Sequence, residues 1–350
     1  MRAYITGNPM RLFAIAALTA YALLIAGALA GGLWVLAALA YMTALTALLD
    51  EWVSRRSAAA NPDASQTAAD VLSAFLAMAH LVSLAATVAA LAGDALSLPA
   101  KLALFAAAGL VYGQVSNSNA NELIHRTDRS LRSLGVWVYV SLLFGHHASA
   151  HPLVHHRFVG TDADPNSARL GESLYCFLRR AWVGSYRAGW QAERDRLQNT
   201  GKSQLAHPYL RYWAGAALML FLAVALGGAW GVLAYLLLCA FAQMQLLMSD
   251  YVQHYGLRRA TGDNGKPVPI APAHSWNSPH WYSSGLMLNA PRHSDHHAHP
   301  SRPYPALTLA PDAPMLPRSL PVMACVALHP RLWRRVMDPR LAEWQQRNAA

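Results

Sequence analysis

Residues 12–49 read LFAIAALTAYALLIAGALAGGLWVLAALAYMTALTALL. No charged residue interrupts them. Only Gly31-Gly32 marks a break, and Asp50-Glu51 closes the run. A spanning helix needs about 20 apolar residues, so this stretch predicts two membrane spans, 12–29 and 33–49, joined by a tight glycine turn. Three features make the bilayer the natural solvent. The apolar residues are clumped, hydrophobic residues make up 54% of the chain, and charged residues make up 13%. A soluble domain carries about 25% charge.

The same reading extends outward. Runs at 68–91 and 98–115 predict a third and fourth span. Runs at 210–226 and 231–248, joined by GGAWG (227–231), predict a fifth and sixth. Residues 54–66, SRRSAAANPDASQ, are a polar loop. Segments 116–208 and 249–350 are polar and predict helices outside the apolar layer. The expected architecture is an all-α integral membrane protein, a single unit over 1–350, with six spans and a His-rich helical cap. Arg2, Arg11, Arg55, Arg56 and both polar segments fall on one side of such a bundle, and Lys101 falls on the other. The positive-inside bias therefore predicts cytoplasmic termini and a cytoplasmic cap. The net charge of +10 fits this bias, and no nucleic-acid-binding motif accompanies it.

Sixteen histidines are the unusual feature of the composition. They gather at Asn121-Glu122-Leu123-Ile124-His125, His146-His147, His151 to His156, His254, and His293 to His297. Residues three or four apart share a helix face. His151 and His155 are so spaced, and His293 is so spaced with both His296 and His297. Adjacent residues diverge by about 100° on a helix, so His155-His156 and His296-His297 suit two neighbouring metal ions. Imidazole ligation alone leaves Zn, Cu, Fe and Ni open. Asp295 is placed to accept a ring N–H from a ligand. Glu122 is placed to do the same or to move protons. His207, His274 and His329 read as ordinary surface or core histidines, and His280 stays open. The cysteines at 176, 239 and 325 form no C-x-x-C pair, so electrons for any redox chemistry must come from another polypeptide.

NELIHR (121–126), HPLVHH (151–156), YVQHYGL (251–257) and RHSDHHAHP (292–300) followed by YPAL, with DADPNSARLGES (162–173) and HSWNS (274–278), resemble the membrane alkane 1-monooxygenases. These belong to the wider membrane di-iron superfamily of fatty acid desaturases and hydroxylases. The resemblance runs from about Asp50 to Leu307. It implies two non-haem irons held by His125, His151, His155, His156, His254, His293, His296 and His297, with O2 as co-substrate. It also implies rubredoxin or ferredoxin with its reductase as donor, a hydrophobic substrate, and a bacterial inner membrane. Arg179, Arg180, Arg187 and Arg194 would suit docking of an acidic carrier. The departures are Asn121 where the family's first histidine stands, and Ala150 and Gln253 where acids are usual. Asn289 also stands where a further histidine often appears. Asn121 is either an altered ligand, acting directly or through water, or the mark of a damaged site. Terminal hydroxylation of an alkyl chain is the implied reaction. Lipid desaturation is the alternative within the superfamily. A His-rich metal transporter is the alternative outside it, for which His80 is the only histidine inside a span.

Overall fold

The computed structural model describes residues 9–52, 66–263 and 265–349. Arg2, Arg55, Arg56 and most of the expected loop 54–66 lie outside the described residues. Among the described residues the secondary structure is helical, with no named strand. The helices are α1 (Pro9–Ala30), α2 (Gly32–Trp52), α3 (Gln66–Ala92), α4 (Leu98–Ile124) and α5 (Arg129–Ser141). The chain continues through α6 (147–158), α7 (Leu174–Asn199) and α8 (Pro208–His254). It ends in α9 (Trp281–Leu286), α10 (His293–Ala298), α11 (Leu320–Ala327) and α12 (Pro330–Ala349).

Five of these helices, α1 to α4 and α8, are long and apolar enough to cross a membrane. The two runs expected at 210–226 and 231–248 are both parts of α8. That element is not straight, because Gly227 and Gly228 leave helical geometry inside it. A Cβ on Gly231 would lie 2.3 Å from the carbonyl oxygen of Ala223. Eight residues along a continuous helix span about 12 Å, so the chain turns back on itself there. Gly31 makes the α1–α2 turn in nearly the same conformation, φ 62° and ψ −147°, against φ 56° and ψ −140° at Gly228. Side-chain-bearing residues rarely adopt it. Gly27 packs against Val35 in the first hairpin as Ala223 does against Gly231 in the second.

The spans are apolar outside and partly polar inside. On α3, Phe75, Met78 and Val82 are exposed, whereas His80, Ser83 and Thr87 are fully buried. A lipid-facing helix buries its polar groups in this way. His80 is held between Ser116 Oγ (2.9 Å) and Ser141 Oγ (2.8 Å), which makes it a satisfied core residue rather than one step of a metal pathway.

Helices α4 and α8 outrun their apolar segments. The fourth run was expected to end at 115, but α4 continues to Ile124, and α8 continues to His254. Both spans therefore carry chemistry-bearing residues on their own ends. A rigid element positions such groups better than a loop.

Candidate metal centre

Four elements meet at one end of the spans. The end of α4 brings Asn121 and His125, and α6 brings His151, His155 and His156. The last residue of α8 is His254, and α10 brings His293, His296 and His297. The histidines sort into two groups of four, His125/His151/His156/His296 and His155/His254/His293/His297. Within each group the candidate ligand atoms all lie within 4.8 Å of one another. Two of the three doubled histidines, His155-His156 and His296-His297, are split, with one ring to each group, whereas His146 and His147 are buried outside both groups. The groups adjoin, since the rings of His156 and His297 are 4.5 Å apart.

Two expected pairings are corrected. His151 does not share a group with His155. It joins His156, Nε2 to Nε2 at 2.9 Å. Residues His151–His155 form a π-helical turn, in which i,i+5 replaces i,i+4 as the hydrogen-bonded repeat. On α10, an ordinary helix, His293 pairs with His297 at i,i+4, with Nε2 atoms 3.1 Å apart. His293 and His296 fall in different groups. His254 Nε2 lies 3.0 Å from His293 Nε2.

These separations bear on whether the residues fit a metal. Two imidazole nitrogens at about 2.1 Å from one ion stand about 3.0 Å apart when their angle at the ion is near 90°. Nitrogens this close without a shared proton or ion would repel. Burial, reinforced by neighbouring histidines, pushes His151, His156, His293, His296 and His297 well below their usual pKa. Burial and the Arg132 charge bring His125 down to about 4. Those six rings are therefore neutral at ordinary pH, the state a metal ligand requires, whereas at His155 burial is outweighed by Asp164, which raises its pKa. The donor set fits a pair of borderline transition-metal ions.

One residue that sequence reasoning missed is Asp164. Its Oδ2 accepts from His155 Nδ1 at 2.9 Å, while His155 Nε2 has no protein partner. Ser167 Oγ donates to the same carboxylate at 2.7 Å, and the Asn166 N–H donates at 3.0 Å. Burial alone would raise the Asp164 carboxyl, but His155 and these hydrogen bonds hold it below its usual range. The pair fixes the His155 tautomer and aims Nε2 at the group, as acids beside ligand histidines do. The segment DADPNSARLGES was the only sequence signal for it. His254 Nδ1 faces the His274 carbonyl and Ser275 Oγ, both at 3.4 Å.

The two expected acids stand elsewhere. Asp295 accepts from Arg302, from His299 Nδ1 (2.9 Å) and from the Thr308 N–H (2.7 Å). His299 belongs to neither group, so Asp295 fastens the loop after α10 instead of orienting a ligand. Glu122 pairs with Arg126 and accepts from the Tyr304 N–H at 3.1 Å. Arg126 also pairs with Asp70, so this network ties α3 and α4 to that same loop. Arg180 is bound to Glu172, Pro165 O and Ser167 O, which withdraws it from the expected docking charges. Arg179, Arg187 and Arg194 are exposed.

Asn121 sits against the first group, its Nδ2 3.3 Å from His296 Nε2, and its Oδ1 is buried without a partner. Of the remaining histidines, His207 stacks on Trp190 at 4.0 Å and His274 Nδ1 accepts from the Ala271 N–H. His329 is exposed. His280 is buried beside Ser278, 2.8 Å away. A cleft of about 720 Å³, its open mouth included, runs between α4 and α8 to His151 of one group and His293 of the other.

The fold and these groups define a helical membrane protein with two adjoining histidine-rich metal-binding centres. The fatty acid desaturase family model matches residues 96–326, and the chain belongs to that family. It is 36% identical over 252 residues to alkane 1-monooxygenase 1 of Alcanivorax borkumensis, covering 69% of this chain and 60% of that protein. It is 34% identical over 245 residues to the alkane 1-monooxygenase of Pseudomonas putida, covering 69% and 61%. The hydroxylase component of a Pseudomonas putida xylene/toluene monooxygenase is 28% identical over 235 residues, covering 66% and 62%. The resemblance read from the histidine motifs is thereby borne out. The chain spans 60% to 65% of the length of the first curated relatives it matches.

Proposed function

We propose that the chain is a membrane non-haem di-iron monooxygenase that hydroxylates an alkyl chain, most simply at its terminal carbon. The observation that carries this reading is the convergence of eight buried ring nitrogens into two adjoining groups at the end of a cleft between spans. The alkane 1-monooxygenase relatives supply the reaction class. In this reading His125, His151, His156 and His296 hold one iron, with Asn121 at its edge, and His155, His254, His293 and His297 hold the other. Iron so held supplies, with O2 and two electrons, the oxidising power that breaks an unactivated C–H bond.

The residues of the chain do the rest. Asp164 keeps the His155 ring turned toward the ion. Met287 and Leu320 line the cleft's apolar side and hold the substrate chain against the metals. Burial of the histidines keeps bulk water from the reacting centre. The hairpin at Gly227-Gly228 divides α8 into two crossings, which makes six spans in all, with the cap on the cytoplasmic side of a bacterial inner membrane. There, exposed Arg179, Arg187 and Arg194 offer a basic face to an acidic rubredoxin or ferredoxin.

The test is turnover under labelled dioxygen of purified, iron-loaded protein with a ferredoxin or rubredoxin and its reductase. Label appearing in an alcohol derived from an alkyl substrate is the expected result. An alkene without label would transfer the reading to desaturation, and no O2-dependent product would reject it.

A further inference from the structure

The cleft is not the wholly apolar tunnel that a bare hydrocarbon would need. On α4, Gln114, Asn117, Ser118 and Asn121 recur at i, i+3, i+4 and i+7, one face of a helix. On α8, Gln245, Ser249 and Gln253 recur at i, i+4 and i+8. All seven line the cleft. Two polar stripes thus face one another along the route from the spans to the histidines. Polar side chains in such positions are costly and mark what passes.

Part of each stripe is interhelical glue. Asn117 Nδ2 donates to Ala242 O at 2.9 Å, Gln245 Nε2 to Gly109 O at 2.8 Å, and Gln253 Nε2 to Ala290 O at 3.2 Å. Two acceptors remain. Gln114 Oε1 and Asn121 Oδ1 are buried without a hydrogen-bond partner. The remaining wall is apolar, with Leu246, Met248, Met287 and Leu320 among its residues. No Lys or Arg lines the cleft among the described residues, so a carboxylate would find no cation there. Asn121 Oδ1 lies at the first histidine group, so the acceptor left for a substrate is Gln114 Oε1, which a bare alkane would cover and leave unpaired, an unfavourable outcome for a buried acceptor.

Resting on the reading above that the cleft leads to the reacting centre, we propose that the preferred substrate is an apolar chain bearing a neutral hydrogen-bond donor, a hydroxyl or an amide. Gln114, about 10 Å along α4 from Asn121 and the histidines, takes up the donor, and the chain lies on Met287 and Leu320 with its far end toward the metal-binding groups. The two stripes thereby set specificity against unsubstituted alkanes.

The experiment is equilibrium binding of radiolabelled dodecanamide and n-dodecane to the full-length protein in nanodiscs, with and without iron, beside a Gln114→Leu variant. Dodecanamide is expected to bind at least about tenfold tighter than n-dodecane, one well-made hydrogen bond against one buried unpaired acceptor. Gln114→Leu should cut that preference severalfold while n-dodecane binding holds or improves, a split that misfolding would not give. Equal or tighter binding of n-dodecane by the wild type would overturn the proposal, as would a preference unmoved in the variant. Binding is read without turnover. Preference for the amide with no O2-dependent product therefore sinks the proposed function alone, and efficient hydroxylation of a preferred n-dodecane sinks this inference alone.

Discussion

Two side chains bear on how well the first and second groups can hold a metal ion. Asn121 offers a weak amide oxygen where its neighbours offer imidazoles, and that oxygen is buried without a partner beside His296. Asn121→His should tighten metal binding at the first group, because imidazole is the better donor for a borderline ion. A metal titration resolving two classes of site would show one class strengthened and the other unchanged. Asp164→Asn removes the charge that orients His155. It should weaken the second group by about 10- to 100-fold, the usual effect of losing a partner behind a ligand, with helical content unchanged by circular dichroism. Asn121 was legible in the sequence because it interrupts a recognisable motif. Asp164 was not, because its contact depends on how the turn after α6 folds, and no spacing rule reports that. The acids that spacing did single out, Glu122 and Asp295, lie beside the motifs in sequence but turn toward Arg126 and Arg302 in space.

At the scale of elements, the alternation of apolar runs and polar loops was enough to place α1 to α4. The two glycine breaks were visible for the reason they matter, which is that no other residue tolerates the backbone they need. Gly228→Ala should cost about 1–3 kcal/mol through its positive φ, read as a fall in thermal midpoint in detergent. The histidine register was only half legible. On α10 the i,i+4 spacing brings His293 together with His297, whereas the i,i+3 spacing does not bring it together with His296. On α6 it fails, because the π turn His151–His155 moves the partner of His151 from His155 to His156. Helical extension past the hydropathy boundary was hidden for a similar reason. Composition changes at Ser116, but the hydrogen-bonded helix continues to Ile124 and delivers Asn121 to the site.

For the molecule as a whole, the account joins an apolar exterior on the spans, a polar interior around His80 and Ser116, and a buried histidine centre at one end. Such a centre is incomplete chemically until its nitrogens share ions. Chelator treatment should therefore lower the thermal midpoint, and ferrous iron should restore it. At iron a hundredfold above its dissociation constant, each site contributes about 2.7 kcal/mol to stability. The central claim is that the eight histidines form two separate sites. Elemental analysis of the purified, anaerobically reconstituted protein tests it most directly, with His156→Ala and His155→Ala alongside. The account predicts two irons per chain in the wild type and one in each variant, the first losing the His125 group's ion and the second the His254 group's. A wild type that takes up no iron, or variants that both retain two, would contradict it.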